Sequence, residues 1–126
     1  MTIENLISTV AVASAEEIRM GESASLRFEG YRYGSEISFF LVTNQPGQGP
    51  DLHRHPYTET WTVLEGEATI RVGEETIVAT AGTTAVSPAD TWHGFKNTGT
   101  GTLRLMGIHA SDHIIQEWQD EDEDEA

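Results

Sequence analysis

The sequence predicts an all-β domain, a barrel or sandwich of short strands followed by a short C-terminal helix. Three observations predict it. From Ser23 onward, short apolar and β-branched segments follow one another at close spacing. Gly or Pro stands at most of the joints between them, as in Pro46-Gly47, Gly49-Pro50, Gly73, Gly82 and Gly99-Thr100-Gly101. The chain has 126 residues, which fits one domain with a real core and leaves little room for a second.

Taken in order, Leu6 to Val12 is apolar and β-branched and reads as an edge strand. Ser14-Ala15-Glu16-Glu17 has the form of a capping box, so a short helical turn is expected after it. Leu26 and Phe28 alternate with Ser25, Arg27 and Glu29, the period of a strand. Ile37 to Thr43 is apolar on both faces, which predicts one face in the core and the other covered, for example by a partner subunit. After the loop from Asn44 to Asp51 come a strand around His53, a β-branched and aromatic strand at Thr60 to Leu64, and alternation at Ala68, Ile70 and Val72. A turn at Gly73-Glu74-Glu75 leads into Thr76 to Ala79, then Ala85-Val86, His93 to Asn97, and the last long strand, Leu103 to His109. Beyond it, Ser111 or Asp112 can cap a helix whose stripe is Ile114, Ile115 and Trp118. The expected division is an N-terminal segment 1–22, a barrel 23–110, a helix 111–119 and a disordered acidic tail 120–126. No internal repeat is present.

Composition excludes several function classes. The net charge is −14, and six of the negative charges sit in the run Asp120 to Glu125. The body that remains is still acidic, with one lysine and six scattered arginines, so neither nucleic acid nor an anionic membrane surface is an expected partner. The absence of cysteine removes disulfides, thiolate metal sites and cysteine nucleophiles. No apolar run reaches membrane-spanning length. Leu6 to Ala15 ends in Ala-Ser-Ala like an export signal, but Glu4 precedes it and no Lys or Arg does, so the cytoplasm is the expected compartment.

The chemistry begins with His53-x-His55. In a strand, residues two apart share a face, so both imidazoles point one way. Glu59 and Trp61 keep that parity if one strand runs on, although Pro56 invites a break. A His-x-His pair alone would look the same on a strand edge at the surface. The wider spacing is more specific: Gly47, five residues, His53, one, His55, three, Glu59, six, Gly66; then Gly82, five, Pro88, four, His93, three, Asn97. These two spaced motifs, in this order, resemble those of the small one-domain cupins, over about residues 34–110. One position departs from the pattern: Asp90 stands where the second motif usually has glycine, a place where Asp tolerates the left-handed conformation.

The resemblance implies a cupin double-stranded β-helix, or jelly-roll barrel, with His53, His55, Glu59 and His93 as ligands of one divalent metal ion. Three imidazoles and a carboxylate suit Fe, Mn, Ni, Zn, Co or Cu and do not suit Ca or Mg. Two functions stay open. One is a metal-dependent enzyme, of oxygenase, isomerase or cyclase type, acting on a small oxygenated molecule such as a diketone, a hydroxy-ketone or an enol. The other is a non-catalytic cupin that binds or senses a small molecule or the metal. Small cupins commonly form homodimers, which would cover Ile37 to Thr43. Trp61 and Phe95 are expected to wall the pocket, Asn97 to bond a loop backbone, and Tyr31, Tyr33 and Tyr57 to offer donors. Arg32, Arg54 and Arg104 are candidate anion clamps, each with a solvated surface as the plainer reading. Finally, if Arg104 faces solvent, then Leu103, Leu105, Gly107 and His109 face inward, and His109 becomes a candidate catalytic proton carrier. The plainer reading of His109 is a strand-end histidine that bonds a loop.

Overall fold

The computed structural model describes residues 10–120. One helical turn, α1 (Ala15–Ile18), opens them, capped by the Ser14 hydroxyl, which accepts the Glu17 N–H at 3.2 Å. The strands follow as β1 (Leu26–Phe28), β2 (Ser38–Asn44), β3 (His53–Arg54), β4 (Glu59–Glu65), β5 (Glu67–Val72), β6 (Glu75–Thr80), β7 (Thr84–Ser87), β8 (His93–Asn97), β9 (Leu103–His109) and β10 (Glu117–Trp118). They pair antiparallel in two five-stranded sheets, ordered β1-β2-β9-β4-β7 and β10-β3-β8-β5-β6.

Strand alternation sends one set of side chains between the sheets. Trp61, Val63, Leu103 and Leu105 come from the first sheet, and Ala68, Ile70, Ala79 and Phe95 from the second; all eight are buried. Each fully buried Leu, Val or Ile contributes roughly 1.5–3 kcal/mol relative to leaving it exposed. This core fills one end of the sandwich. The other end holds the histidines, with His53 opposite His93 and Glu59 opposite His109.

Two loop positions shape that end. Gly49 has φ 154°, and a Cβ there would collide with the Phe95 carbonyl, so the loop before β3 lies directly on β8. Asp90 has φ 57°, the left-handed conformation, and its N–H donates to the His55 carbonyl at 2.7 Å. Asp thus does what glycine does elsewhere, and the turn it makes anchors the backbone of a histidine. Asn97 is a loop pin: its amide donates to the carbonyls of Asn44 and Gly101 and accepts the Gly99 N–H.

Two expectations lie wholly or mostly outside the described residues, and a third shifts. The N-terminal edge strand falls mostly outside the described residues, and within them residues 10–12 are not strand; Val10 and Val12 are exposed. The acidic residues beyond Asp120 also lie outside. The C-terminal helix starts later than expected: residues 111–116 have no regular structure, 117–118 form β10 on β3, and among the described residues helix runs over 119–120. Tertiary hydrogen bonds outcompete helical ones here. The Ile115 carbonyl accepts from His55 Nδ1, the N–H of Ile114 donates to Glu29 Oε2, and that of Gln119 donates to the Leu52 carbonyl.

Candidate metal centre

His53, His55, Glu59 and His93 are all buried, and their ligand atoms lie within 4.8 Å of one another. They do not come from one continuous strand. Pro56 breaks the chain after His55, so β3 stays in the second sheet while β4, carrying Glu59, crosses to the first. His53 faces His93 across β3 and β8, and Glu59 faces His109 across β4 and β9. The cluster therefore closes between the sheets, two histidine-bearing strands on one side and the carboxylate on the other.

Each imidazole of the cluster is oriented by its outer nitrogen. His53 Nδ1 donates to the Asp51 carbonyl at 2.7 Å and His55 Nδ1 to the Ile115 carbonyl at 2.8 Å. His93 Nδ1 lies 3.0 Å from both the Thr91 carbonyl and the Ser87 hydroxyl. A carbonyl only accepts, so the neutral rings carry their protons on Nδ1 and present bare Nε2 lone pairs inward. Those lone pairs crowd together. His55 Nε2 is 3.1 Å from His93 Nε2 and 2.9 Å from Glu59 Oε1, and His93 Nε2 is 3.2 Å from the same oxygen.

Facing acceptors repel unless a cation joins them. Two donors each about 2.1 Å from one ion, at right angles about it, sit about 3.0 Å apart. The observed separations match that spacing, and the donor set suits a divalent transition ion. Gly107 makes room for the carboxylate: a Cβ there would stand 2.5 Å from Glu59 Oε2.

Burial pulls the His53 pKa down to about 4, against a smaller upward push from its bond to the Asp51 carbonyl. Burial alone would raise that of Glu59, but with no metal bound, hydrogen bonds donated by His109, His55 and His93 outweigh it and hold the carboxyl well below the usual carboxylate range. A neutral His53 and an ionised Glu59 are the forms in which these two groups ligate metals.

The structure places His109 inside the barrel, fully buried, beside this cluster and differently wired. Its Nδ1 is 2.6 Å from the Tyr57 hydroxyl, which itself receives the Ile115 N–H at 3.1 Å. The Tyr57 hydroxyl is nearer to His109 Nδ1 than to its other acceptor, the Ile115 carbonyl at 3.5 Å, and when it donates to Nδ1 the ring carries its own proton on Nε2. That Nε2–H looks toward Glu59 Oε2 at 3.3 Å and lacks a full hydrogen-bond partner among the described residues. Unlike the three imidazoles of the cluster, His109 offers a donor rather than a lone pair. Tyr57 is the tyrosine of the site, stacked flat on His55, its pKa pushed up to about 12 mainly by burial. Tyr31 and Tyr33 lie elsewhere, against His113 and Phe28.

Glu59 and His53 open onto a cavity of about 550 Å³ walled by Phe40, Val42, Leu105, Phe95 and Trp118. None of the arginines singled out in the sequence reaches it. Arg54 pairs with Glu117 and lies over Trp92, Arg32 lies over Tyr31, and Arg104 is on the outer face of β9. The arginine that lines the cavity is Arg27. Sequence reasoning misses it because a charged residue between Leu26 and Phe28 reads as the solvent side of an alternating strand. Arg27 is 40% exposed, as that reading implies, but it stands opposite Phe40 and also lines the cavity, while Phe28 stacks on Phe39.

A family model described as Cupin domain matches residues 40–109. Among curated proteins, the chain is 26% identical over 89 residues to mannose-1-phosphate guanylyltransferase 2 of Escherichia coli O157:H7, covering 70% of this chain and 18% of that protein. It is 29% identical over 75 residues to mannose-1-phosphate guanylyltransferase RfbM of Salmonella typhimurium, covering 58% and 15%. The chain thus spans less than a fifth of the length of these curated relatives. Among solved structures, oxalate decarboxylase superimposes with a TM-score of 0.70 at 24% identity, over 75% of this chain and 27% of that one. The Bacillus subtilis oxalate decarboxylase studied for its Mn(II) centres gives the same values. At that identity the likeness is one of fold.

Proposed function

The chain belongs to the cupin domain family, and on that premise we propose that it is a metal-dependent enzyme acting on a small oxygenated molecule, by oxygen insertion, isomerisation or ring closure. The observation that carries the reading is the convergence of three imidazole lone pairs and one carboxylate oxygen, with no donor among them, on the wall of a cavity. His53, His55, Glu59 and His93 would hold one divalent transition ion. Manganese is the first to test, given the Mn(II) centres of the similar oxalate decarboxylase. When bound, the ion supplies a Lewis acid that polarises a chelated oxygen.

The chain supplies the rest. Phe40, Leu105 and Phe95 keep water from the bound molecule. Tyr57 holds His109 in the tautomer that aims Nε2–H at the cluster, so His109 can give a proton to a substrate oxygen or take one back. His109→Ala is expected to keep wild-type metal content and to lower turnover by about 10²–10⁴-fold. The measurements are elemental analysis beside oxygen uptake and solvent-deuterium exchange, with 1,3-diketones and hydroxy-ketones offered to the Mn(II)-loaded protein. A wild-type protein that holds metal and binds these molecules without uptake or exchange is a binding cupin, and the enzyme reading then falls.

We also propose a homodimer. No helix of the described residues is long and apolar enough to cross a membrane. Yet the outer face of the first sheet carries an apolar patch, with Phe39, Leu41, Met106 and Ile108 in register across β2 and β9 and Val86 beyond Thr60. A second copy covers such a face by two-fold pairing. Sedimentation at micromolar concentration should give a dimer, and Ile108→Glu a monomer with unchanged metal content. A monomeric wild-type protein excludes the pairing.

A further inference from the structure

We infer that the ligand of this cavity is an elongated amphipathic acid, chelating the metal at one end and held by Arg27 through an anionic group at the other. The inference rests on the metal centre proposed above and adds the chemistry of the remainder of the ligand.

Size comes first. About 550 Å³ lies in the range of roughly 300–1,000 Å³ that drug-sized ligands occupy, well beyond the need of a two-carbon acid. Lining comes second. Phe40 lies between Arg27 and the metal site, and Val42, Leu105 and Phe95 add to a lining that is more apolar than polar, although Ser23, Ser25, Asn44 and Gln116 also contribute, so much of the ligand is apolar too. Charge comes third. The chain carries −14 overall, a field that turns anions away, yet the only cation among the described side chains that line the cavity is an arginine. Its guanidinium sits 5.5 Å from the centre of the Phe40 ring, which in turn meets His109 edge-on at 5.4 Å. One ring therefore spans the interval between the cation and the residues around the metal centre.

Arg27 is not used up by its own neighbours. Its ion contact to Glu29 Oε1 is 3.4 Å, long beside the 2.9 Å between Arg54 and Glu117. The other oxygen of Glu29 already accepts the Ile114 N–H. A guanidinium has five N–H donors in a planar fork, and one distant carboxylate oxygen leaves most of them for a carboxylate or phosphate. Glu29 instead sets the fork's position from outside the cavity lining.

The test uses a matched pair of probes with the same chelating 2-oxo acid end: 2-oxoadipate, which ends in a carboxylate, and 2-oxohexanoate, which ends in a methyl group. Binding to the Mn(II)-loaded protein is measured by calorimetric titration. Wild type should bind 2-oxoadipate at least about tenfold more tightly, as a charge-assisted fork contact implies. Arg27→Leu should erase that preference while keeping metal content and 2-oxohexanoate affinity, Arg27→Lys should retain part of it, and Arg32→Leu all of it. Equal affinities in wild type, a preference that survives Arg27→Leu, or no binding of either acid at millimolar concentration would each overturn the inference. The metal reading is tested apart from it. If chelator-treated His55→Ala binds both acids as tightly as the loaded wild type, the metal centre falls and the Arg27 preference stands. Metal-dependent but equal binding of the two acids keeps the metal centre and overturns the Arg27 contact.

Discussion

Replacing His55 by Ala or Glu59 by Gln is expected to take bound metal from about one ion per chain to below about a tenth, with the fold intact. Both side chains are central to the cluster, since Glu59 Oε1 and the Nε2 atoms of His55 and His93 lie 2.9 to 3.2 Å from one another. Removing one leaves three donors, and Glu59→Gln also removes the only negative charge among the four. A milder change probes the orienting bonds. Ser87→Ala frees one side of His93 Nδ1 and should weaken metal affinity by roughly 10–100-fold while leaving a measurable site. The loss should be read by elemental analysis after equilibrium dialysis, with far-ultraviolet circular dichroism as the control for folding. The assignment is wrong if each single variant retains wild-type metal. Metal should also stabilise the protein, since an ion that binds only the folded state at about a thousand times its Kd adds roughly 4 kcal/mol.

Acid is the second large effect. In the chelator-treated protein, His53 has a folded pKa of about 4 against 6.5 for the free side chain. The unfolded chain therefore binds more protons between those values, and stability falls as pH drops from 6.5 toward 4. The shift corresponds to on the order of 3 kcal/mol. Glu59 acts in the same direction at lower pH. Its carboxyl is held well below 4.5 in the folded state, so its contribution is present above 4.5 and lost as pH falls below it. Urea unfolding from about pH 7.5 to about pH 4 should show the decline, and His53→Gln should flatten its upper part. An equally steep decline in that variant would mean that other groups carry the acid response.

Much of this protein was legible in its sequence because its signals are local. Alternation gave the strands, Gly and Pro marked their ends, and Ser14 announced α1 through one capping bond. The resemblance of the two spaced motifs to those of cupins pointed to His53, His55, Glu59 and His93, four residues that the structure gathers within reach of one ion. Asp90 was readable as well, because tolerance of a positive φ belongs to the residue itself.

The remainder depended on which surfaces the sheets turned toward each other. Pro56 hinted at a break, but only the pairing of β3 with β8 and of β4 with β9 moved Glu59 to the opposite sheet from the histidines. The segment 111–116 carries a helical stripe, yet the imidazole of His55 and the carboxylate of Glu29 claim its backbone, and a helix cannot share those groups. Arg27 and Phe28 alternate as any half-buried strand does, and alternation says that two faces differ without saying which is inside. The sequence by itself determined most of the strands, through residue type and spacing, and through its resemblance to cupins it pointed to the four residues that the structure gathers. Tertiary structure alone decided that Arg27 lines the cavity and that His109 Nε2 faces Glu59, because orientation is set by partners distant in the chain.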